Sequence, residues 1–145
     1  MDKKNKNYHI KSFEKYEKMY NESIDNSDLF WSQKAKRLHW FKDWDKVSDE
    51  DFAQAKINWF RGGQLNASYN CIDRHIENGD GDRCAIIWQG NSENDSQQYS
   101  YNELLVQVSK FANTLKNNNV KKGDRVCIYM QMIPELAIAM LACAR

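Results

Sequence analysis

Two residues of the sequence, Cys71 and His75, have the types and the spacing of a pair of metal ligands. Residues four apart lie on one face of a helix, where two side chains can reach the same ion. A zinc site needs three or four ligands, and no partner pair stands at a suitable distance along the chain. We therefore interpret Cys71 as a packing residue and His75 as a hydrogen-bonding residue, and we predict no metal ligand.

A second candidate is the alternation of Asn78, Asp80 and Asp82, which is how a calcium-binding loop begins. Such a loop places glycine at its sixth position and glutamate at its twelfth. Here those positions hold Arg83 and Gln89. The sequence therefore predicts a tight exposed turn and not a calcium site.

Two further motifs have residue types that occur in functional sites. Asp73-Arg74-His75 has the types of an acid–base group, but no nucleophile accompanies it, so we interpret it as an ion-pair or hydrogen-bond group between domains. The single Arg61-Gly62-Gly63 gives no case for RNA binding. The sequence contains no phosphate-binding or dinucleotide-binding glycine loop. We predict no catalytic, cofactor-binding or metal-binding residue in the 145 residues.

Aromatic residues are concentrated in two short stretches. We interpret these side chains as anchors that dock against the rest of the protein, because each can bury a large apolar area. The alternative, a surface on which a ligand stacks, is less favoured. The residues are Trp31, Trp40, Phe41, Trp44, Trp59 and Phe60.

Composition excludes several classes of protein. The formal net charge of +1 gives no field that favours nucleic acid or an anionic membrane as partner. The start of the chain is polar and made basic by six lysines, so it predicts a mobile basic segment and not a secretory signal; they are Lys3, Lys4, Lys6, Lys11, Lys15 and Lys18. We expect a cytoplasmic protein with reduced cysteines. All four cysteines are expected to behave as small hydrophobic residues: Cys71, Cys84, Cys127 and Cys143.

The elements of the first half are predicted from spacing and capping residues. Apolar residues from Ile10 to Tyr20 recur at helical spacing, and Asn26 and Ser27 are placed to cap a second helix. That helix is expected to direct four residues to a core: Leu29, Phe30, Ala35 and Leu38. Residues 40–44 are irregular, 43–51 are predicted as loop, 55–60 as a strand and 65–76 as helical.

The second half alternates between strand and helix. We predict a buried strand at 84–88, a returning strand at 98–99, a helix begun by the capping box of Ser100 and Glu103, and a strand at 125–130. Pro134 then begins a helix whose residues 136–144 are all apolar. Such a helix needs cover on every side, so we expect the protein to continue beyond Arg145.

Five segments, in this order and spacing, are similar to acetyl-CoA synthetases of the adenylate-forming superfamily. The segment from Trp59 to His75 is the most specific, and Gln131 departs from the proline that is usual there. The segments are Phe30-Trp31 with Ala35, Leu38, Trp40, Phe41 and Trp44; Trp59-Phe60, Gly63, Leu65-Asn66 and Asn70 to His75; Ala85 to Trp88 with Tyr99 to Leu104; Lys122 to Val126, Tyr129-Met130 and Ile133 to Glu135; and Met140 to Arg145.

This resemblance implies a two-step ligase that uses ATP, CoA and Mg²⁺. Acetate would attack ATP to give acetyl-adenylate and pyrophosphate, and the CoA thiol would then displace AMP. The family's phosphate loop, its aspartate, its arginines and its lysine have no counterpart in these 145 residues. The partners implied are therefore the remainder of the polypeptide and the small molecules acetate, ATP and CoA.

The fold implied is α/β, with a mainly helical N-terminal leader at 1–80 followed at 81–145 by the first strand-helix units of a truncated AMP-binding domain. Two other functions stay open. One is a propionyl-CoA or other short-chain acyl-CoA synthetase, and the other is a stand-alone noncatalytic interaction module.

Overall fold

The computed structural model describes residues 10–145, so Lys3, Lys4 and Lys6 of the predicted basic start lie outside the described residues, whereas Lys15 and Lys18 belong to the first helix, Phe13–Asp25. The chain forms two compact units. One comprises the residues up to Leu38 together with Lys42–Gly63, and the other comprises His39–Phe41 together with Gln64–Arg145. The predicted division into 1–80 and 81–145 stays a prediction.

The first unit begins with two helices, α1 (Phe13–Asp25) and α2 (Ser27–Ala35). Helix α1 starts where it does because the Ser12 hydroxyl accepts a hydrogen bond from the Lys15 amide at 3.2 Å, which satisfies one free donor of the first turn. Asn26 stands at the N-cap of α2 as predicted, but its side chain makes no capping hydrogen bond.

The core contacts of α2 are fewer than predicted. Phe30 and Ala35 are buried, whereas Leu29 is 59% exposed and Leu38 is 43% exposed. The prediction for the two leucines is wrong. Helix α2 has almost no separation of apolar and polar faces, so burying Phe30 and Ala35 leaves the side of Leu29 open.

Strands β1 (Lys46–Asp51) and β2 (Lys56–Arg61) form an antiparallel hairpin. The prediction of a strand at 55–60 is confirmed, but the prediction of a loop at 43–51 is wrong. Polar residues are poor strand formers, so β1 depends on its partner. The carboxylate of Asp49 in β1 forms ion pairs with Lys46, at 2.8 Å, and with Arg61 of β2, at 3.0 Å.

A glycine is required where β2 ends, because Gly62 has φ +82° and a Cβ there would lie 2.1 Å from Asp45 Oδ2. We expect Gly62→Ala to cost about 2 kcal/mol in free energy of unfolding, from left-handed strain and displacement of the carboxylate. Gly79→Ala is the matched control, since Gly79 has φ +89° and open space around it. The denaturant midpoint of Gly62→Ala should be lower than that of Gly79→Ala. Equal midpoints would contradict the close approach of Asp45 to position 62.

The second unit begins with a broken helix. Helix α3 (Ala67–Cys71) is separated by Ile72 from the short α4 (Asp73–His75), and Ile76–Asp80 follows as a π-helical turn. The predicted helix at 65–76 is therefore interrupted. Ile72 leaves helical geometry with φ −126° and ψ −70°, and its side chain is completely buried.

Strands β3 (Cys84–Gln89) and β4 (Ser96–Ser100) form a second antiparallel hairpin, as predicted. The prediction that β3 is buried is wrong, because Ile87 is 72% exposed. Successive side chains of a strand point to opposite faces, so Ile86 packs against the core while Ile87 lies on the other, open face of the hairpin.

Helix α5 (Tyr101–Asn117) begins with the predicted capping box. The Glu103 amide donates to the Ser100 hydroxyl at 3.2 Å, and the Ser100 amide donates to the Glu103 carboxylate at 2.8 Å. The Ser100 hydroxyl also donates to the Glu103 carboxylate at 2.9 Å. The hydrogen bonds that this carboxylate accepts from the Ser100 amide and hydroxyl lower the pKa of Glu103.

We expect Ser100→Ala to lower the free energy of unfolding by about 1 kcal/mol, because the Glu103 amide loses its acceptor and the Glu103 carboxylate loses the hydroxyl donor. Gln107→Ala, at an exposed position within α5, is the control and should have little effect. Denaturant melts of a stable parent protein measure both changes. An unchanged midpoint for Ser100→Ala would mean that the cap contributes nothing.

The predicted strand at 125–130 does not form. Within residues 10–145 the sheets contain only β1 with β2 and β3 with β4, so this segment belongs to neither sheet and has no regular secondary structure. A strand needs a paired backbone, which its apolar sequence alone does not supply. Helix α6 (Pro134–Ala144) then begins with Pro134 in its first turn, as predicted.

The core of the second unit lies between the broken helix, α5 and α6. The buried residues that form it are Ile72, Leu104, Val108, Ala112, Ile138 and Ala142. The opposite face of α6 is open, with Met140 59% exposed, beside a groove of about 750 Å³. Protein cover over the whole of α6 stays a prediction.

Candidate functional site

The broken helix of the second unit carries a group of polar residues that join three parts of that unit. Asn70, which is 6% exposed, binds the backbone of His39 in both directions. Its Oδ1 accepts from the His39 amide at 2.8 Å, and its Nδ2 donates to the His39 carbonyl at 2.9 Å. The same Nδ2 also donates to the Asn66 carbonyl at 3.1 Å. The side chain of Asn70 therefore supplies the two hydrogen bonds that a neighbouring strand would otherwise give to the backbone of His39.

Two neighbouring residues hold the end of α6. Asn66 caps α3, accepting from the Tyr69 amide at 3.0 Å, and its Nδ2 donates to the Ala144 carbonyl at 2.9 Å. Ser68, which is fully buried, accepts from the Arg145 guanidinium at 3.4 Å. One short helix thus satisfies backbone and side-chain groups at the C-terminal end of α6.

The ion pair of Asp73 and Arg145 completes this group. The guanidinium donates two hydrogen bonds of 2.8 Å to the two carboxylate oxygens, which is the bidentate geometry of strong pairs. The side chains are 18% and 27% exposed. Hydrogen bonds from Arg145 and its charge lower the pKa of Asp73 against the opposing effect of burial. The same contact raises the pKa of Arg145.

The lowered pKa of Asp73 predicts a pH dependence of stability. A carboxyl whose pKa is lower in the folded state stabilises the fold above its unfolded pKa, and that stability is lost as the pH falls through the folded pKa. We expect Asp73→Asn to cost about 2 kcal/mol at neutral pH. The difference from the unsubstituted protein should shrink from about pH 5 downward. Urea melts at a series of pH values measure it, and a constant difference would contradict the pair.

The structure does not bring the sequence-predicted candidates together as a reactive site. Cys71 is exposed, while the His75 ring stacks on Tyr101 with 4.8 Å between centroids. Asp80 pairs with Arg83 at 3.1 Å, and Asp82 accepts from the side chain of Asn102 at 3.0 Å. No group of three or more potential metal ligands occurs within residues 10–145.

The prediction that the cysteines pack as small hydrophobic residues is wrong. All four have free, exposed thiols. Three of them lie where an element has an open side: Cys84 in the half-covered β3, Cys127 in the unpaired segment and Cys143 on the open face of α6.

The aromatic residues pack mainly on one another within each unit. In the first unit Trp31 contacts Trp59, with ring centroids 6.1 Å apart, and Trp44 contacts Phe60 at 5.2 Å. In the second unit Phe41 contacts Tyr69 at 5.2 Å. Trp31 and Trp59 remain 41% and 44% exposed, so their docking on other protein stays a prediction.

Sequence reasoning missed the structural importance of Asn66, Asn70 and Arg145. Asn66 precedes a helical stretch, which is the position of an N-cap, so its capping role had a local signal. Asn70 and Arg145 had none, because their partners are 31 and 72 residues away along the chain.

Comparison with known proteins identifies the family. Residues 16–71 match the family described as acetyl-coenzyme A synthetase N-terminus. Residues 72–145, slightly more than half of the chain, match the family described as AMP-binding enzyme. The chain belongs to the AMP-binding enzyme family. The polar group described above includes residues from both matched regions, since Asn66 and Asn70 lie in the first and Asp73 and Arg145 in the second.

Relatives of this AMP-binding family member include several acetyl-coenzyme A synthetases. That of Leptospira biflexa is 52% identical over 92% of the chain. That of Magnetococcus marinus is 54% identical over 91%, and acetyl-coenzyme A synthetase 2 of Pseudomonas aeruginosa is 50% identical over 90%. Each match covers 20% of the relative, so the chain spans about a fifth of the length of these curated relatives.

The fold of this AMP-binding family member is also found in a solved structure. Acetoacetyl-CoA synthetase from Streptomyces lividans matches 89% of the chain and 20% of its own length, with a TM-score of 0.77 and 24% sequence identity. The predicted α/β class, with a helical N-terminus followed by strand-helix units, is confirmed. Within residues 10–145, no helix combines the length and apolar character needed to span a membrane.

Proposed function

We propose that this chain is the N-terminal part of an AMP-forming acetate–CoA ligase. The reaction joins acetate to ATP, giving acetyl-adenylate and pyrophosphate. The CoA thiol then attacks the acetyl carbonyl and releases AMP, so that acetyl-CoA is formed. The observation that carries the proposal is identity of 50–54% to acetyl-coenzyme A synthetases over at least 90% of the chain.

The part played by these residues is structural. The group that contains Asn66, Asn70, Asp73 and Arg145 joins helices, and its polar atoms bind backbone groups and one another. None of these side chains forms a nucleophile–base pair in the described residues. The predicted domains, a leader at 1–80 and the start of an AMP-binding domain at 81–145, are part of this proposal.

The small molecules of the reaction would be held mainly outside these residues. ATP and CoA are implied by the family, and Mg²⁺ would neutralise phosphate charge. We assign no residue of this chain to any of them. The protein would act in the cytoplasm, with the remainder of its own polypeptide as its principal partner.

Two alternatives make different predictions. A propionyl-CoA or other short-chain acyl-CoA synthetase would use the same chemistry with a different acid, and the 24% identical acetoacetyl-CoA synthetase shows that this fold occurs in a protein named for another acid. A stand-alone interaction module would have no ligase activity. The exposed face of α6 around Met140 is the feature that favours such a module.

The test is product analysis with the complete polypeptide that the gene encodes. Purified protein is supplied with Mg²⁺, ATP, CoA and either acetate, propionate or butyrate. We expect AMP, pyrophosphate and acyl-CoA, with acetate giving the highest kcat/KM. Higher kcat/KM with propionate or butyrate would favour the first alternative, and the absence of AMP with every acid would contradict both ligase assignments.

A further inference from the structure

Helix α1 of the first unit has an apolar stripe that its own unit does not cover. Phe13, Tyr16, Tyr20 and Ile24 follow one another at spacings of three and four residues, so they lie on one face. They are 71%, 49%, 54% and 59% exposed, and no residue of α1 is buried. The neighbouring positions Met19 and Ser23 are the ones that are half-buried. The helix therefore contacts its own unit beside the stripe.

The aromatic rings of the stripe lie next to one another along the helix. The rings of Phe13 and Tyr16 lie 6.0 Å apart, and those of Tyr16 and Tyr20 lie 6.1 Å apart and are nearly parallel, at 20°. Anchors at this spacing are typical of a helix that docks in an apolar groove. An aromatic side chain ordered before docking loses less conformational entropy when it binds.

Charge indicates the chemistry of the surface that receives the helix. The sequence of α1 contains four acidic and two basic side chains. Helices that lie on membranes carry lysine and arginine on the polar face, so this acidic balance argues against a lipid surface. It favours an apolar protein surface with a positively charged margin, and Glu17, next to the stripe, is placed to meet that margin.

Area distinguishes a site in the same polypeptide from one in a second copy. Four side chains that are half exposed present roughly 400 Å². A stable complex of separate molecules buries about 800 Å² on each partner. A smaller surface suffices when both parts belong to one chain, because the effective concentration is high. The chain covers only 20% of its relatives, which leaves ample polypeptide to supply the site.

We propose that the stripe of Phe13, Tyr16, Tyr20 and Ile24 docks on an apolar, positively bordered surface in the part of the same polypeptide that lies outside residues 1–145. The inference rests on the proposed function, because it requires the longer ligase. It adds a specific task for α1, which is to attach the N-terminal helices to the body of the protein.

The test is site-specific photo-crosslinking in the complete polypeptide. A benzophenone amino acid replaces Tyr20 in the stripe, and the matched control carries it at Glu22, on the opposite face of α1. A mixture of isotopically heavy and light protein distinguishes crosslinks within one chain from those between chains. We expect the Tyr20 probe to crosslink within one chain to a peptide beyond residue 145, and the Glu22 probe to lose this product.

Other outcomes overturn the inference. Mixed heavy–light products would assign the stripe to a second copy. Equal products from both probes, crosslinks confined to residues 10–145, or no crosslink from Tyr20 would each contradict docking. A gene product that ends at Arg145 would instead refute the proposed function, which distinguishes the two failures.

Hydrogen exchange gives a second measurement without a probe. Tyr16→Ala with Tyr20→Ala removes two anchors but keeps a good helix former, and Lys15→Ala with Glu22→Ala is the control. In the complete polypeptide we expect the amides of α1 to exchange at least about tenfold faster in the stripe variant and unchanged in the control. Equal rates in the two variants would contradict docking.

Discussion

Replacing Asn70 by aspartate is expected to lower the free energy of unfolding by about 3 kcal/mol at neutral pH, although the two side chains have the same shape. The aspartate can still accept from the His39 amide. Its second oxygen, however, would face the carbonyls of His39 and Asn66, which now receive hydrogen bonds of 2.9 and 3.1 Å from Asn70 Nδ2. Three oxygen atoms without a proton between them repel one another in a site that is 6% exposed.

The pH dependence of this variant identifies the cause. A protonated carboxylic acid can donate to the carbonyl oxygens, so the folded state of Asn70→Asp favours the protonated form and raises the pKa of the new carboxyl. Its stability should therefore recover as the pH falls toward 4. Asn91→Asp, in the exposed turn between β3 and β4, is the control and should show neither loss nor recovery. A loss that does not vary with pH would mean that Asn70 acts by packing alone.

Truncation of Ile72 to alanine is expected to have an effect of similar or greater size, about 3–4 kcal/mol. Ile72 has no exposed surface and belongs to the core cluster with Leu104, Val108 and Ile138. It lies at the break between α3 and α4, where the backbone leaves helical geometry. Because the core around Ile72 is close-packed, the neighbouring helices can fill the cavity left by truncation only in part.

Two control substitutions separate burial from residue type. Ile72→Val removes one methylene group and should cost about 1 kcal/mol. Ile87→Ala removes the same atoms as Ile72→Ala from a side chain that is 72% exposed, so less than about 1 kcal/mol should be lost. Denaturant melts measure all three variants. Equal losses at positions 72 and 87 would contradict the assignment of Ile72 to the core.

Local patterns in the sequence predicted the elements whose causes are local. The capping box of Ser100 and Glu103, the helix that begins at Pro134 and the hairpin of β3 and β4 each depend on neighbouring residues, and each is present. Strand β1 was missed because it is polar, and its pairing depends on Arg61 and Lys56 across the hairpin.

Contacts between distant residues were beyond such reasoning. An asparagine within a helical stretch gives no sign that it will bind the backbone of His39. The strand predicted at 125–130 shows the converse, because its apolar sequence favours a strand but strand formation depends on a pairing partner. The exposed cysteines follow the same rule, since their burial depends on elements that have to cover them.

The most direct test of the proposed function is acetate-dependent exchange of radiolabelled pyrophosphate into ATP. This assay reports formation of acetyl-adenylate, and it is applied to the complete polypeptide that the gene encodes and to residues 1–145 alone. We expect exchange by the complete polypeptide that requires acetate, and none by the 145 residues. Reproducible exchange by the purified 145-residue chain, or no exchange by the complete polypeptide with any short-chain acid, would contradict it.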